Sequence, residues 1–337
     1  MDLIVEGPGV FVSKHLGRLR VSRDKAMLSE APLIHLQQVL LVGAGIGISS
    51  DAVKACCEEG IPIHFLSSTG AAIAGLYAAG LTGTVATRRA QLLAYDDERG
   101  VVLARTFVEG KLLNQSNLLR YMAKYRKDAH PRLYEVLEAA AQDVRDAQAA
   151  LQYIKGSRLE DQRALLMGVE GKAASCYWGA LAQVVPERLA WPGRVTRGAI
   201  DPLNSALNYG YGVLYAQVEQ AIVLAGLDPY AGFLHADRPG KPSLVLDLIE
   251  EFRQTVVDRT VIGLVNREMA IDLDEEGRLT EKVRRRLAEK VLERLAATEL
   301  YEGKRHVIRH ILQSQARHLA THLRGEVPEY APFVAGW

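Results

Sequence analysis

The sequence predicts an α+β fold: a small β-rich N-terminal domain, residues 1–90, followed by a larger all-α domain, residues 91–337. Two observations predict it. The first ninety residues hold short, β-branched apolar runs bounded by glycine, whereas apolar residues after about Arg88 recur with a helical period. Strands followed by a run of helices are typical of two packed domains, and 337 residues agree with that at about 150 residues each.

The strand signals lie in three stretches, VFVSKHLGRLRVS, LIHLQQVLLVG and IPIHFLSS. Between the last two, SSDAVKACCEEG has helical apolar spacing and ends at a glycine, which predicts a short helix. Residues 65–87 carry no charge and are long enough to span a bilayer. Because this stretch is rich in glycine, serine and threonine, it favours two short strands joined by turns over a membrane helix.

The helical signals follow one another through the rest of the chain. Proline and glycine separate them, for example at Trp191–Pro192–Gly193 and at Pro239–Gly240. The predicted helices cover residues 88–94, 101–127, 131–155, 159–185, 202–227, 243–265, 281–302 and 305–325.

Composition excludes several classes of protein. The chain has 41 Lys+Arg against 40 Asp+Glu, a formal net charge of +1, and 48% hydrophobic residues. That balance excludes a disordered chain and gives no global attraction to nucleic acid or membrane. The 3 cysteines have no metal-binding spacing, and their odd number argues against a disulfide framework. We therefore expect a reducing, cytoplasmic location, and the first residues, MDLIVEG, do not indicate a signal peptide.

Two motifs offer alternative sites. The glycine turn at residues 43–47 follows a strand, as in dinucleotide-binding folds, but its third glycine comes too early and no acid follows for a ribose. The pairs His306/His310 and His318/His322 have the spacing of a helical zinc site, but no carboxylate or cysteine completes either one. We therefore favour a glycine-rich strand-to-helix turn for residues 43–47 and a basic helical face for the histidine pairs.

Two local clusters of positive charge make nucleic acid a candidate ligand. The segment from Gly303 to Arg324 contains basic residues and no acid, and the segment from Gly110 to Leu133 contains one acid. Such clusters bind phosphates through counterion release, although most charged runs are solvated surface. The candidate DNA-binding residues are Arg305, Arg309, Arg317, Lys124, Arg126 and Lys127.

A further candidate site combines carboxylates with one histidine in apolar surroundings. Glu170 lies in the apolar segment ALLMGVEGKAASCYWGAL, and His235 precedes a Gly/Pro turn. Asp247, Glu250 and Glu251 share the polar side of the next predicted helix. One imidazole with carboxylate oxygens suits Mg²⁺ or Mn²⁺ better than Zn²⁺. The helical wheel does not choose between Glu250 and Glu251, and solvated charges remain the alternative.

These motifs resemble a known family. The strings VEGKAASCYW, DPLNSALNYGYG, GFLH and SLVLDLIEEFR, in this order, are similar to the larger of the two universal CRISPR adaptation proteins. KLLNQSNLLR and ILQSQARHLA resemble it more weakly, and the similarity spans nearly the whole chain. The resemblance implies a small N-terminal β domain and an all-α catalytic domain.

The resemblance also implies a site and partners. The family's metal ligands correspond to Glu170, His235 and Glu250, which selects Glu250 over Glu251. The ion that the resemblance implies is Mg²⁺ or Mn²⁺. Asp247 matches a supporting acid, and Arg253, one turn on, is a hypothetical phosphate contact. The family forms homodimers, and two of them flank a dimer of a small ferredoxin-like partner in a heterohexamer that binds double- and single-stranded DNA.

The activity that this resemblance implies is metal-dependent DNA cleavage and spacer integration, by attack of a 3′-hydroxyl on a phosphodiester. Two other hypotheses remain open. The chain could be a non-catalytic helical DNA-binding or scaffold protein with structural carboxylates, or a nucleotide-dependent enzyme using the 43–47 turn.

Overall fold

The computed structural model describes residues 1–78, 84–196 and 198–336. A strand-rich region comes first and a mostly helical region follows, as predicted. The change lies between the last strand of the first region, which ends at Leu76, and the first long helix, which starts at Thr84. That helix begins at Thr84, whereas the sequence predicted its start at residue 88. No helix among the described residues is long and apolar enough to cross a membrane.

Two four-stranded sheets and one helix build the N-terminal region. The elements are β1 (Asp2–Glu6), β2 (Val10–His15), β3 (Arg18–Arg23), β4 (Ala26–Pro32), β5 (Gln38–Val42), β6 (Gly47–Ile48), α1 (Ser50–Glu58), β7 (Ile63–Leu66) and β8 (Ala72–Leu76). The first sheet has the order β1-β5-β7-β8, with only β8 antiparallel, and the second has the order β4-β3-β2-β6. Their inner faces share a core of aliphatic side chains that includes Val12, Leu19 and Val39.

The helical region packs its long helices around a second, larger core. Most predicted helices are present with shifts of a few residues at their ends. The elements are α2 (Thr84–Ala94), α3 (Glu98–Lys124), α4 (Pro131–Ala150), α5 (Leu159–Ala182), α6 (Pro202–Leu224), α7 (Ser243–Leu248), α8 (Arg259–Val265), α9 (Glu281–Ala296), β9 (Thr298–Tyr301), β10 (Lys304–Val307) and α10 (Ile308–Leu323).

The predicted continuous helix over residues 243–265 is wrong. After α7 the chain forms a 3₁₀ turn at Ile249–Glu251 and a π-helical turn at Gln254–Asp258, and only then α8. Local periodicity cannot reveal such breaks because the apolar positions keep a roughly helical spacing through them. π-Turns inside helices often lie at functional sites, and this one closely follows the predicted site residue Glu250.

The helical region is not entirely α-helical. The predicted helix 281–302 ends at Ala296, and β9 and β10 then pair as an antiparallel hairpin. Its two loop residues, Glu302 and Gly303, both have positive φ, 49° and 77°. That is the backbone of a tight hairpin turn whose twist matches the strands, and glycine at its second position favours it. The all-α prediction is corrected to this extent.

Polar contacts attach the two regions to each other. Arg309 of α10 forms an ion pair with Asp2 of β1 at 3.0 Å, and Arg284 of α9 forms one with Glu6 at 2.6 Å. Gln217 of α6 donates a hydrogen bond to Gln38. These side chains are buried or half-buried, so the N-terminal region is fixed to the helices.

Candidate metal centre

Two of the three predicted ligands pair with the same ammonium group. Lys111 of α3 forms ion pairs with Glu170 of α5 and with Glu250, whose Oε2 lies 2.9 Å from Lys111 Nζ. The side chains of Lys111, Glu170 and Glu250 are only 10%, 17% and 3% exposed. Residues more than 50 positions apart in the sequence thus meet around a buried positive charge.

Glu250 stays charged in this environment. Burial alone raises the pKa of a carboxyl group, but Arg253, Lys111 and His235 oppose that effect and bring the pKa of Glu250 down to about 2. Arg253 supplies the closest guanidinium contact, 3.0 Å from Glu250 Oε1. Glu250 Oε2 is buried without a hydrogen-bond partner among the described residues, and the Lys111 ammonium lies beside it.

Asp247 fixes the third predicted ligand, His235. Asp247 is fully buried, and its carboxylate accepts hydrogen bonds from the backbone N–H groups of Phe233, Leu234 and His235 at 2.6, 3.0 and 3.0 Å. It also lies 2.7 Å from Nδ1 of His235. Because a carboxylate only accepts, Nδ1 carries the proton and the lone pair remains on Nε2. A carboxylate that orients a histidine in this way is typical of metal sites.

The present side-chain positions do not themselves form a metal cage. Within the described ranges, no three His, Cys, Asp or Glu side chains are close enough to hold one ion. The donor set nevertheless fits a hard divalent cation. The half-buried Glu170 and the buried Glu250 already share one positive group, and an oriented imidazole lies close enough to affect Glu250. The three-ligand site stays a prediction, in which an ion would take the place of the Lys111 ammonium.

Glu251 is separated from this cluster. Its carboxylate accepts hydrogen bonds from the Tyr330 hydroxyl, the Phe333 backbone and the Gln315 amide at 2.6, 2.8 and 2.8 Å. Burial raises the pKa of Glu251 to about 7, although these three donors lower it. With three donors of its own, Glu251 serves the packing of the last residues, and Glu250 is the carboxylate that faces Lys111.

Sequence reasoning did not single out Lys111 as a site residue. It is one of the basic residues between Gly110 and Leu133, where the sequence indicates a candidate nucleic-acid contact or solvated surface. The available signal was its position in the apolar α3 segment EGKLLNQSNLL, where Leu112 and Leu118 are buried beside it. A lone lysine on such a face needs an acidic partner, but the sequence does not say which acid.

Behind the site, a buried network holds Arg253. The guanidinium lies 5.0 Å from the centre of the Tyr211 ring, a cation–π contact. Tyr211 and Tyr177 both donate hydrogen bonds to Asp258, the latter at 2.7 Å, and Asp258 lies in the π-turn. Burial raises the pKa of Asp258 to about 6, with the tyrosine hydroxyls and nearby arginines acting against it. Arg253 is therefore held between Glu250 and Tyr211.

The candidate DNA-binding residues differ in their surroundings. Arg305, Arg317, Lys124 and Lys127 are exposed, whereas Arg126 is half-buried and donates to the Met122 carbonyl at 2.7 Å. Arg309 is half-buried in its ion pair with Asp2. A DNA contact by any of them stays a prediction, but Arg309 already has a structural role between the two regions.

The two alternative motifs lie in other settings. The glycine turn leads into β6, and the Gly9 N–H donates to the Gly45 carbonyl at 2.8 Å, so its backbone serves sheet packing. His306 lies on β10 and His310 on α10, which removes the helical spacing of that pair. His322 is buried beside the Val327 carbonyl.

Comparison with known proteins defines the class. The family described as "CRISPR associated protein Cas1" matches residues 3–293. The chain is 38% identical to "CRISPR-associated endonuclease Cas1 1" of Archaeoglobus fulgidus, over 100% of both chains. It is 36% identical to "CRISPR-associated endonuclease Cas1 3" of Thermus thermophilus, over 96% of this chain and 94% of that one. The chain belongs to the Cas1 family, which confirms the resemblance that its motifs indicated.

Solved structures show the same fold. A casposase bound to its integration product matches with a TM-score of 0.83 at 24% identity, covering 98% of this chain and 92% of that one. A Cas1 protein from Thermotoga maritima matches with a TM-score of 0.76 at 21% identity, covering 100% and 99%. At these identities the likeness concerns architecture, and it confirms the predicted order of a strand-rich and a helical region.

Proposed function

We propose that this protein is a divalent-metal-dependent DNA endonuclease and integrase that inserts new spacers into a CRISPR array. The observation that carries the proposal is the pairing of two carboxylates, the half-buried Glu170 and the buried Glu250, with Lys111. An Asp247-oriented histidine, His235, acts electrostatically on Glu250. Relatives over the full chain are named endonucleases, and the casposase of like fold was solved with an integration product. These findings support phosphodiester chemistry at this site.

Glu170, Glu250 and Nε2 of His235 would hold Mg²⁺ or Mn²⁺. Such an ion, when bound, polarises the phosphoryl oxygen and stabilises charge that develops during attack. Asp247 keeps the imidazole in the tautomer that leaves Nε2 free. Arg253, held against Tyr211, is the residue we propose for a non-bridging phosphate oxygen.

The reaction is a transesterification or a hydrolysis. The 3′-hydroxyl of a captured DNA end attacks the phosphodiester, a new P–O bond forms and the old one breaks, releasing a 3′-hydroxyl. Since one ester replaces another, no external energy is required. Water in place of the hydroxyl gives cleavage. The chain's contribution is alignment of both DNAs, because positioning supplies a large share of such rate enhancements.

We propose that the working assembly contains a homodimer and a small ferredoxin-like partner in a heterohexamer, in the cytoplasm. Exposed apolar side chains on the N-terminal region, Phe11, Leu16, Met27 and Leu28, support a protein contact there. A Cas6-RT-Cas1–Cas2 complex contains a chain of similar fold, with a TM-score of 0.77.

The direct test is a strand-transfer assay with a DNA fragment bearing a free 3′-hydroxyl, a repeat-containing plasmid and Mn²⁺, with and without EDTA. We expect integration that EDTA abolishes and added Mn²⁺ restores. DNA binding without metal-dependent cleavage or joining would favour the alternative, a non-catalytic DNA-binding or scaffold protein.

The exposed arginines Arg305 and Arg317 are expected to contribute to the salt dependence of DNA binding. Changing both to glutamine should weaken binding and flatten the slope of log K against log salt by about one for each phosphate that the variant no longer neutralises. The measurement is fluorescence anisotropy on a DNA duplex over a range of salt concentrations.

Arg285→Gln is the matched control for this prediction. Arg285 is an exposed arginine of α9, outside both basic segments and in a surface ion pair with Glu289, so the substitution should leave the slope unchanged. A slope that stays constant in the Arg305/Arg317 variant would mean that this surface lies away from DNA.

A further inference from the structure

We propose that residues 330–335, here called the strap, position Glu250 for metal binding. This inference rests on the proposed function. The strap has no regular secondary structure, yet Tyr330, Phe333 and Ala335 are only 6%, 1% and 0% exposed. It runs between α3 and the turn Ile249–Glu251, which are the two segments that carry Lys111 and Glu250.

On one side, the strap holds the residues that follow Glu250. The Tyr330 hydroxyl and the Phe333 N–H donate to the two carboxylate oxygens of Glu251, at 2.6 and 2.8 Å. The rings of Phe333 and Phe252 stack with their centres 5.1 Å apart and their planes at 17°. Both residues after Glu250 in the chain are therefore fixed by the strap.

On the other side, the strap holds α3 around Lys111. Asn114, one turn on, donates to the Phe333 carbonyl at 2.8 Å and accepts from the Ala335 N–H at 2.9 Å. Asn114 also donates to the Glu251 carbonyl at 3.0 Å, which closes the connection between the two segments. Gly110, directly before Lys111, leaves the space that Pro332 fills: a Cβ there would lie 2.7 Å from Pro332 Cβ.

The chemistry of these contacts argues for positioning beyond simple packing. Asn114 and Glu251 are fully buried polar side chains. Burying them costs more desolvation free energy than burying apolar side chains at the same positions would. They are satisfied largely by strap atoms, so their geometry is fixed only when the strap is in place. Hydrogen-bonded groups behind metal ligands commonly change metal affinity by about 10–100-fold. Glu251, Asn114 and the strap act here through Glu250, the predicted ligand next to Glu251 in the chain.

The test uses Gly110→Ala in the full chain, with Mn²⁺ affinity measured from the EPR signal of free Mn²⁺. The added methyl group collides with Pro332, so we expect Mn²⁺ to bind about tenfold more weakly. Gly179→Ala is the matched control: it adds the same group to a helix, α5, where no atom lies within 4 Å. Its Mn²⁺ affinity should stay within about twofold of the wild type.

A second change provides a rescue. Pro332→Gly removes the atom nearest to the added methyl group, Pro332 Cβ, and leaves a tighter-than-usual contact of 3.2 Å with Glu251 Cγ. The double variant Gly110→Ala/Pro332→Gly should therefore recover most of the lost Mn²⁺ affinity. If Gly110→Ala does not fold, Tyr330→Phe removes the hydroxyl that donates to Glu251 and should still weaken Mn²⁺ binding.

Wild-type Mn²⁺ affinity in whichever of these two variants folds overturns the strap proposal. A double variant that binds Mn²⁺ no better than Gly110→Ala also overturns it. A wild-type chain that binds no Mn²⁺ overturns the proposed function itself, and the strap proposal with it.

Discussion

Glu250→Gln is expected to reduce strand transfer and nicking by at least about a thousandfold while leaving DNA binding intact. The substitution keeps the shape of the side chain and removes the charge that faces Lys111 and Arg253. If the ion supplies several kcal/mol of transition-state stabilisation, and about 1.4 kcal/mol corresponds to a factor of ten, a reduction of this size follows. Glu170→Ala and His235→Ala should behave alike.

The measurement is the metal-dependent nicking and joining assay, run beside DNA binding in EDTA. Glu138→Gln is the control, since Glu138 lies on α4 in a surface ion pair with Arg120. It should retain full activity. Wild-type rates in Glu250→Gln would remove Glu250 from the site.

Asp247→Asn is expected to have the second large effect, on both stability and metal affinity. Asp247 accepts three backbone N–H groups and contacts His235 Nδ1. An amide at this position replaces one accepting oxygen by a donor and leaves buried N–H groups without an acceptor. The expected cost is about 3 kcal/mol of unfolding free energy, at about 1–3 kcal/mol per orphaned group. Metal affinity should fall by about 10–100-fold because His235 is no longer oriented.

Denaturant unfolding and Mn²⁺ titration of the same sample measure both effects. Asp237→Asn is the matched control. Asp237 lies in the loop that carries His235, is exposed and accepts one hydrogen bond from Ser243, which an amide oxygen can still accept. Equal stability and equal Mn²⁺ affinity in Asp247→Asn and the wild type would show that the carboxylate does not support the site.

The sequence predicted the helices well where amphipathic period and punctuation coincide, as in α4, which begins at the predicted Pro131. It failed where tertiary packing overrides period. The segment 243–265 keeps helical spacing although it is broken by 3₁₀ and π turns. The hairpin turn at Glu302–Gly303 has a local signal in its glycine, but the surrounding polar residues fit a helix equally well.

The candidate site was predicted in part. Glu170 stood out because a charge in an apolar helix needs a partner, and the family motifs selected Glu250 over Glu251. The structure separates these two neighbours: Glu250 faces Lys111 and Glu251 faces the strap. The partner lysine could not be predicted, since pairing across 59 residues leaves no local pattern. The ion pair of Arg309 with Asp2 could not be predicted either, because it joins α10 to β1, two segments that are far apart in the sequence.

A crystal structure with Mn²⁺, recorded at a wavelength where manganese scatters anomalously, tests the proposed metal centre most directly. We predict one anomalous peak within coordination distance of Glu170, His235 Nε2 and Glu250, with the Lys111 ammonium displaced from between the two carboxylates. A peak elsewhere, or none while Lys111 still bridges Glu170 and Glu250, would contradict the proposed centre.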